Sequence, residues 1–386
     1  MTEGRSVWVL LGKGVGGNGQ MTSLAKALGW PYEAKHLVFN QLSHCPNLLL
    51  GAAAMTLDRR QSSPLQPPWP DVVIAGSRRS APVARWIKRQ SRGATRLVHL
   101  MHTQAPLAHF DLIITTPQYR LPQRDNVLHN VGPLNHIDPA RLAAAAAGGA
   151  ARFAHLPRPY TALLVGGTSS SYLLDPDTAA RLGRDASAQV RAAGGSLLLT
   201  TSARTPAAAA DALLAAIDCS AYAYRWQAGD ADNPYAAMLA LADGFIVTAD
   251  SASLLAEACA MDKPVALFDW PPRPDAYRGA KGWLRRWGEA RYGNGAAPRL
   301  ADRLYDRLVY VGLIKPTRDF AAYHRALRER GLITALGESN RRPARRPLDD
   351  LPRAVERIRE LFSERTVPLD ARAALDAPMA MRSEAR

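Results

Sequence analysis

Hydroxyl and acidic side chains follow a short apolar run in the order Thr248, Asp250, Ser251, Ser253 and Glu257. The run predicts a buried strand, and the Ser-rich turn predicts the start of a helix, whose first N–H groups lack intrahelical partners. Such helix starts carry a positive partial charge and bind phosphate. Glu257 lies on a helix otherwise made of small and apolar residues, where a lone carboxylate needs a strong hydrogen-bonding partner. A ribose diol is one such partner, so this segment predicts a nucleotide site.

Two further predicted strands of the same half end in hydroxyl-rich turns. TALLVGG (161–167) leads into Thr and Ser residues, and SLLLTTS (196–202) leads into an arginine suited to phosphate. Helix capping could explain any one such turn. Three of them favour a ligand at the carboxyl ends of one sheet. The predicted nucleotide-binding residues are Gly166, Gly167, Thr168, Ser169, Thr201, Ser202, Arg204, Trp226, Asn233, Tyr235, Thr248, Asp250, Ser251, Ser253 and Glu257.

A glycine-rich segment, Gly12–Gln20, follows the first predicted strand. It fits the dinucleotide pattern G-x-G-x-x-G only loosely, and it lacks the Lys-Ser/Thr pair of a phosphate-binding Walker loop. Three interpretations remain open: close packing of strand against helix, a loop that serves an acceptor or the reaction itself, or a dinucleotide site. On the second, Gly14, Gly16 and Gly17 with Arg78 contact the acceptor, and Asn18 and Gln20 take part in catalysis.

Histidines flank the end of the fourth predicted strand in LVHLMHTQAP. His99 falls within the alternation of the strand, which favours a structural role. His102 comes at the carboxyl end of the strand, where it would face a cleft and could act as a general base. Asp111, Gln118 and Tyr119 are weaker candidates for that role.

Metal and disulfide chemistry find little support in the sequence. Asp230 and Asp232 resemble the DxD motif of metal-dependent glycosyltransferases, but so short a motif recurs by chance. Cys45, Cys219 and Cys259 are odd in number and lack metal-ligand spacing, which indicates free thiols. We therefore predict neither a metal site nor a cofactor.

The net charge of +15 is concentrated in stretches such as 77–92 and 278–291. This distribution favours anionic partners, although no nucleic-acid-binding module is present. Trp283 and Trp287 lie among arginines, which suits a membrane interface but equally fits one buried tryptophan beside solvated arginines. The first apolar run is too short for a signal peptide or a membrane span. We expect a cytoplasmic protein with contact at the inner face of the inner membrane.

Short buried strands alternate with helices in each half, which predicts an α/β fold of two facing Rossmann-like, doubly wound domains. Among these elements are strands at 37–40 and 223–227 and a helix at 21–29. The predicted units are an acceptor domain (1–145), a linker (146–160), a nucleotide domain (161–300), closing helices (301–337), and a basic linker, short helix and disordered tail (338–386).

Several segments resemble the elongated-mitochondria, or mitochondrial fission, family: FDLIITTPQYRLP (110–122), ALLVGGTSS (162–170) and NPYAAMLALADGFIVTADSASLLAEACAMDKPVALF (233–268). The resemblance covers about residues 6–330. It implies a GT-B-like fold in which Ser251 and Ser253 hold donor phosphates and Glu257 holds the ribose. Gln118, Tyr119 and Arg120 depart from the acidic or His residues of many relatives.

The residues and the resemblance together imply a metal-independent glycosyltransferase. Its donor would be a nucleoside-diphosphate sugar with uridine as the expected base, and its acceptor an envelope glycan or a lipid-linked molecule. Two alternatives remain: a nucleotide-sugar epimerase on the same scaffold, and a non-catalytic scaffold that recruits a partner to a membrane.

Overall fold

The computed structural model describes residues 4–135, 138–169, 171–273, 300–311, 313, 318–338 and 346–363. Within them, the strands form two six-stranded parallel sheets. The first sheet has the order β2-β1-β3-β4-β5-β6, and the second has the order β12-β11-β10-β7-β8-β9. These two sheets confirm the predicted pair of Rossmann-like domains.

The first sheet consists of β1 (Val7–Leu11), β2 (Tyr32–His36), β3 (Val72–Ala75), β4 (Arg96–Leu100), β5 (Leu112–Thr115) and β6 (Val127–His129). The second consists of β7 (Tyr160–Leu164), β8 (Ser196–Thr200), β9 (Ala221–Tyr224), β10 (Gly244–Thr248), β11 (Val265–Phe268) and β12 (Thr334–Ala335).

The helices are α1 (Val15–Leu28), α2 (Asn47–Leu50), α3 (Ser80–Gln90), α4 (Pro139–Phe153), α5 (Pro176–Ala192), α6 (Ala207–Ala215), α7 (Tyr235–Leu241), α8 (Ala252–Ala260), α9 (Leu300–Tyr310), α10 (Phe320–Glu329) and α11 (Asp350–Ser363). Short 3-10 helices cover Gln41–His44, Leu107–His109 and Pro117–Tyr119. In the described part of the chain, no helix is both long and apolar enough to cross a membrane.

The central strands are buried because helices cover both faces of each sheet. All four residues of β3 and all five of β8 are buried. Their Val, Ile and Leu side chains are the near-continuous apolar runs that allowed the strands to be predicted from the sequence.

After the second sheet, the chain returns to the first domain. Tyr305 and Val309 of α9 pack in the core of the first domain, whereas Tyr323 of α10 packs in that of the second. Ala354 and Ile358 of α11 pack against the other face of the first sheet. The closing helices predicted within 301–337 and the short helix predicted within 338–386 thus correspond to α9, α10 and α11.

Three predicted elements differ from those observed. The strand predicted at 223–227 lies at Ala221–Tyr224. The strand predicted at 37–40 lies instead at Tyr32–His36, where it pairs in parallel with β1. The helix predicted at 21–29 begins earlier, at Val15. The glycines at 16, 17 and 19 have no positive φ and form part of this helix. Trp283, Trp287 and the tail beyond residue 363 lie outside the described residues.

Polar contacts join the two domains. Asp319, which precedes α10, forms an ion pair with Arg120 of the first domain, and its N–H donates to the Gln118 carbonyl at 2.8 Å. The buried carboxylate of Asp350 accepts from the N–H groups of Val131 at 2.9 Å and Gly132 at 2.7 Å. The Asp319 contacts thus hold the residues that follow β5 beside the second domain, and the Asp350 contacts hold α11 on the residues that follow β6.

Candidate functional site

A cavity of about 410 Å³ lies between the carboxyl ends of the two sheets. Its volume falls within the usual range for small-molecule sites. The first domain contributes Gly16, Gly17, Gln20, Met101, Thr116, Gln118, Tyr119 and Pro133. The rest of the lining is Ser169, Arg204, Asp250, Ser251, Ala252, Ser253, Arg318 and Phe320.

Helix α1 reaches this cavity with its amino-terminal end. Gly14 is its N-cap residue, no side chain caps the helix, and its first turn contains no acid. Gly16 and Gly17 lie in that first turn and line the cavity. The positive end of the helix dipole therefore faces the cavity without a compensating negative charge from the helix itself.

Helix α8 of the second domain reaches the same cavity with its own amino-terminal end. Ser251 is the N-cap residue, yet its side chain makes no capping hydrogen bond and the first turn contains no acid. A Cβ placed on Gly16 would lie 3.4 Å from the Ser253 hydroxyl, so the two helix ends nearly touch. Two like partial charges this close repel each other, and an anion between them would relieve the repulsion.

Arg204 and Arg318 add positive charge to the cavity wall. Arg204 keeps 41% of its side chain exposed, and its guanidinium lies 2.7 Å from a carboxylate oxygen of Asp250. Two helix ends and two arginines make the cavity suited to a doubly charged group such as a diphosphate.

Among the described residues, Asp250 is the one carboxylate that lines this cavity. Its Oδ2 accepts from the Gly167 N–H at 2.9 Å and pairs with Arg204. Its Oδ1 is buried and has no hydrogen-bond partner within the described residues. Burial raises the pKa of Asp250, and the nearby Arg204 offsets only part of that rise. One oxygen is thus held by Gly167 and Arg204, and the other is buried without a hydrogen-bond partner among the described residues.

Glycines make room for this carboxylate. A Cβ on Gly166 would overlap the Asp250 carboxylate, and one on Gly167 would overlap the Arg204 carbonyl. Gly167 also has φ of 154°, a conformation that other residues rarely adopt. The Gly166-Gly167 pair therefore serves to bring the ends of β7, β8 and β10 together.

Several predicted hydroxyls bind the protein backbone instead of facing the cavity. Ser202 donates to the Gly166 carbonyl, and Thr168 Oγ1 accepts from the Leu174 N–H at 3.3 Å. Thr201 Oγ1 accepts from the Trp226 N–H at 2.9 Å, and Thr248 Oγ1 accepts from the Gly166 N–H at 2.8 Å. These residues shape the strand ends, whereas Ser169, Ser251 and Ser253 line the cavity.

Glu257 lies further along α8 and is not part of the cavity lining. Its carboxylate accepts a hydrogen bond from the Tyr235 hydroxyl. Burial raises the pKa of Glu257, and the hydrogen bond from Tyr235 acts in the opposite direction. Asn233, just before α7, accepts with its side-chain oxygen from the Tyr235 N–H at 3.0 Å. The structure thus groups three of the predicted residues, Asn233, Tyr235 and Glu257.

The predicted catalytic residues have different surroundings. Asn18 exchanges two hydrogen bonds with Gly12, at 3.1 and 2.7 Å, and so joins α1 to the end of β1. Gln20 lines the cavity. His102 is buried outside the lining, and its Nδ1 accepts from the Gln104 N–H at 2.8 Å. This bond occupies one basic nitrogen of the imidazole and places the proton of the neutral ring on the other.

Two other first-domain candidates are held by structural contacts. Arg78 donates to the carbonyls of Ser43 and Cys45, at 2.5 and 2.9 Å, and is absent from the cavity lining. Asp111 pairs with Lys88 at 2.6 Å and Arg96 at 3.1 Å, next to the first strand residues of β4.

Other residues at the site were not singled out from the sequence. These are Met101, Thr116, Arg318 and Phe320, which line the cavity. Gln118, which the sequence indicated as a weaker candidate for the general base, lines it as well. Gln118 is buried, and its Oε1 has no hydrogen-bond partner in the described part of the chain. The position of Thr116 and Gln118 just after β5 was the available signal, whereas Arg318 and Phe320 reach the cavity only through tertiary packing.

The motif at Asp230 and Asp232 is engaged locally. Asp230 accepts from the Tyr224 hydroxyl at 2.6 Å, and Asp232 forms an ion pair with Arg152 at 2.5 Å. Within the described ranges, no group of three or more His, Cys, Asp or Glu residues could hold a metal ion.

A family model described as "Mitochondrial fission ELM1" matches residues 15–297. The mitochondrial fission protein ELM1 of Arabidopsis thaliana is 33% identical over 218 residues, 51% of each chain, so the match spans about half of that relative. An uncharacterized protein of Rickettsia prowazekii (strain Madrid E) is 25% identical over 300 residues, 69% of this chain and 84% of that protein. The solved UDP-GlcNAc 2-epimerase of Methanocaldococcus jannaschii has a TM-score of 0.46 and 11% identity, over 93% of this chain and 99% of that one.

Proposed function

We propose, for a chain that belongs to the mitochondrial fission ELM1 family, that the cavity binds a nucleoside-diphosphate sugar and transfers its glycosyl group to an acceptor hydroxyl. The observation that carries this proposal is the convergence of two uncapped helix starts, of α1 and α8, on one cavity with Arg204 and Arg318. Such an arrangement stabilises the two negative charges of a diphosphate.

The bond between the sugar C1 and the diphosphate oxygen would break as the acceptor oxygen bonds to C1. The electron pair leaves with the diphosphate, next to Ser251, Ser253 and Arg204. The hydroxyl proton passes to Asp250, whose Oδ1 has no partner within the described residues and whose pKa is raised by burial. We favour Asp250 over His102 as the general base because Asp250 lines the cavity and His102 does not. Helix ends and arginines supply the positive charge, so no metal ion is invoked.

The nucleoside would extend from the diphosphate along α8 towards Glu257. There the ribose diol would hydrogen-bond to the carboxylate that Tyr235 holds in the structure described here. We take uridine as the expected base, following the sequence analysis. The acceptor, an envelope glycan or a lipid-linked molecule, would enter from the first domain past Gly16, Gly17 and Gln20, on the cytoplasmic side of the inner membrane.

Incubation with UDP-sugars, followed by chromatography of the products, tests the reaction. Transfer predicts that donor turnover requires an acceptor. Release of an epimerised sugar from donor alone would support the alternative nucleotide-sugar epimerase. If no nucleotide-sugar raises the melting temperature of the protein, the scaffold alternative gains support and transfer is contradicted.

Replacement of Glu257 by Ala tests the ribose contact. We expect UDP affinity, measured by calorimetry, to fall by roughly tenfold because a charged hydrogen-bond acceptor is lost. Tyr235→Phe is the matched control, since it removes the neighbouring hydroxyl and keeps the carboxylate. Unchanged affinity in Glu257→Ala would show that the ribose binds elsewhere.

A further inference from the structure

In the segment from Gln41 to Met55, polar side chains are buried and large apolar side chains are exposed. Ser43 and Asn47 are buried, whereas Leu42, Leu48 and Leu49 are exposed, Leu49 to 80%. Met55 is exposed to 61%. Among the described residues, these four account for four of the nine exposed large apolar side chains. We call Leu42, Leu48, Leu49 and Met55 the leucine surface. Scattered exposed leucines are ordinary, but four exposed apolar side chains in one short segment point to an interaction surface.

Hydrogen bonds hold this segment with its apolar side outward. The Asn47 side chain donates to the carbonyls of Arg78 at 2.7 Å and Thr103 at 3.0 Å. In return, the Arg78 guanidinium donates to the carbonyls of Ser43 and Cys45. If the leucines turned inward, these hydrogen bonds would break, each at a cost of about 1 kcal/mol. The exposure is therefore built into the structure of the segment.

Arginines lie near the leucine surface. Arg59 and Arg60 are exposed and follow Met55 closely in the chain. Arg79 lies 3.4 Å from the His44 ring. Asp58 is the acid nearest in sequence. Its carboxylate accepts from the N–H groups of Arg60 and Gln61 and so stabilises the turn that these residues form. Exposed apolar side chains with arginines nearby match a bilayer with anionic headgroups, because the apolar chains insert while the cations remain at the phosphates.

We propose that the leucine surface docks on an anionic lipid bilayer. This inference goes beyond the proposed function and stands without it. The anchoring residues Arg78 and Thr103 follow β3 and β4, at the same edge of the sheet where Met101 lines the cavity. Docking would therefore hold the bilayer beside the first-domain entrance to the cavity.

Co-sedimentation of the full chain with vesicles tests the proposal. We expect binding to equimolar phosphatidylcholine–phosphatidylglycerol vesicles and weak binding to pure phosphatidylcholine. Leu48→Ser/Leu49→Ser should weaken binding roughly tenfold or more, because two apolar side chains no longer insert. Leu173→Ser/Leu304→Ser is the matched control, since both leucines are exposed outside the surface. Arg59→Gln/Arg60→Gln should remove most of the preference for anionic vesicles.

Circular dichroism of each variant checks that folding is intact; the single change Leu49→Ser replaces the double change if the latter unfolds. If wild-type protein does not co-sediment with anionic vesicles, the proposal is overturned. Equal binding by Leu48→Ser/Leu49→Ser would also overturn it and would place any membrane contact elsewhere, for example at Trp283 and Trp287. A wild-type dimer that becomes monomeric in this variant, in light scattering, would instead identify a second copy as the occupant.

Discussion

At the scale of single residues, the two oxygens of Asp250 have different surroundings. Oδ2 meets the Gly167 N–H and Arg204, whereas Oδ1 meets no partner in the described part of the chain. The sequence placed Asp250 in the nucleotide site through its position after β10. It did not indicate the pairing with Arg204 or the space left by Gly166, because these residues lie on three different strand ends.

Replacement of Asp250 by Asn distinguishes the roles of the two carboxylate oxygens. The amide oxygen of Asn can still accept from the Gly167 N–H, while an NH₂ group takes the place of the free oxygen. We expect a folded protein whose kcat falls by roughly a hundredfold, the usual scale for loss of a general base. Because the carboxylate must be ionised to accept a proton, wild-type activity should fall as pH drops through the raised pKa. Transfer rates equal to wild type would remove Asp250 from the reaction.

At the scale of elements, the backbone angles of α1 do not require glycine at its glycine positions. Gly16 and Gly19 have no positive φ, and a Cβ on Gly19 would meet nothing within 4 Å. Glycine within a helix costs about 1 kcal/mol relative to alanine. Under the proposed function, Gly16 leaves the backbone at the helix start open to the ligand. From the sequence alone, the same glycines indicated a loop, because helix propensity is a weak guide when tertiary contacts hold the helix.

A pair of alanine variants tests this explanation. Gly19→Ala should raise the free energy of unfolding by about 0.5–1 kcal/mol and leave UDP affinity unchanged. Gly16→Ala should not destabilise the fold, since its Cβ stays 3.4 Å from the Ser253 hydroxyl. It should nevertheless weaken UDP binding at least several-fold by crowding the helix start. Denaturant titration and calorimetry give both quantities, and equal UDP affinity in the two variants would contradict a ligand at this helix end.

At the scale of the whole molecule, the sequence predicted both domains but not how they are held together. Each Val-rich strand and each turn after it is a local signal, so the βα repeats could be predicted. The ion pair of Arg120 with Asp319 joins residues 199 positions apart, and Asp350 caps a turn more than two hundred positions away. No local pattern encodes such contacts. Arg318 and Phe320 escaped prediction for the same reason, since they reach the cavity only when Asp319 is docked.

The central claim is that the two domains share one diphosphate site. Calorimetric titration of the wild-type protein with UDP, UMP and uridine tests it most directly. If α1, α8 and Arg204 bind the phosphates, UDP should bind at least tenfold more tightly than uridine, with UMP between them, and added salt should weaken UDP binding. Equal affinities for UDP and uridine, or no heat of binding from UDP, would contradict the claim.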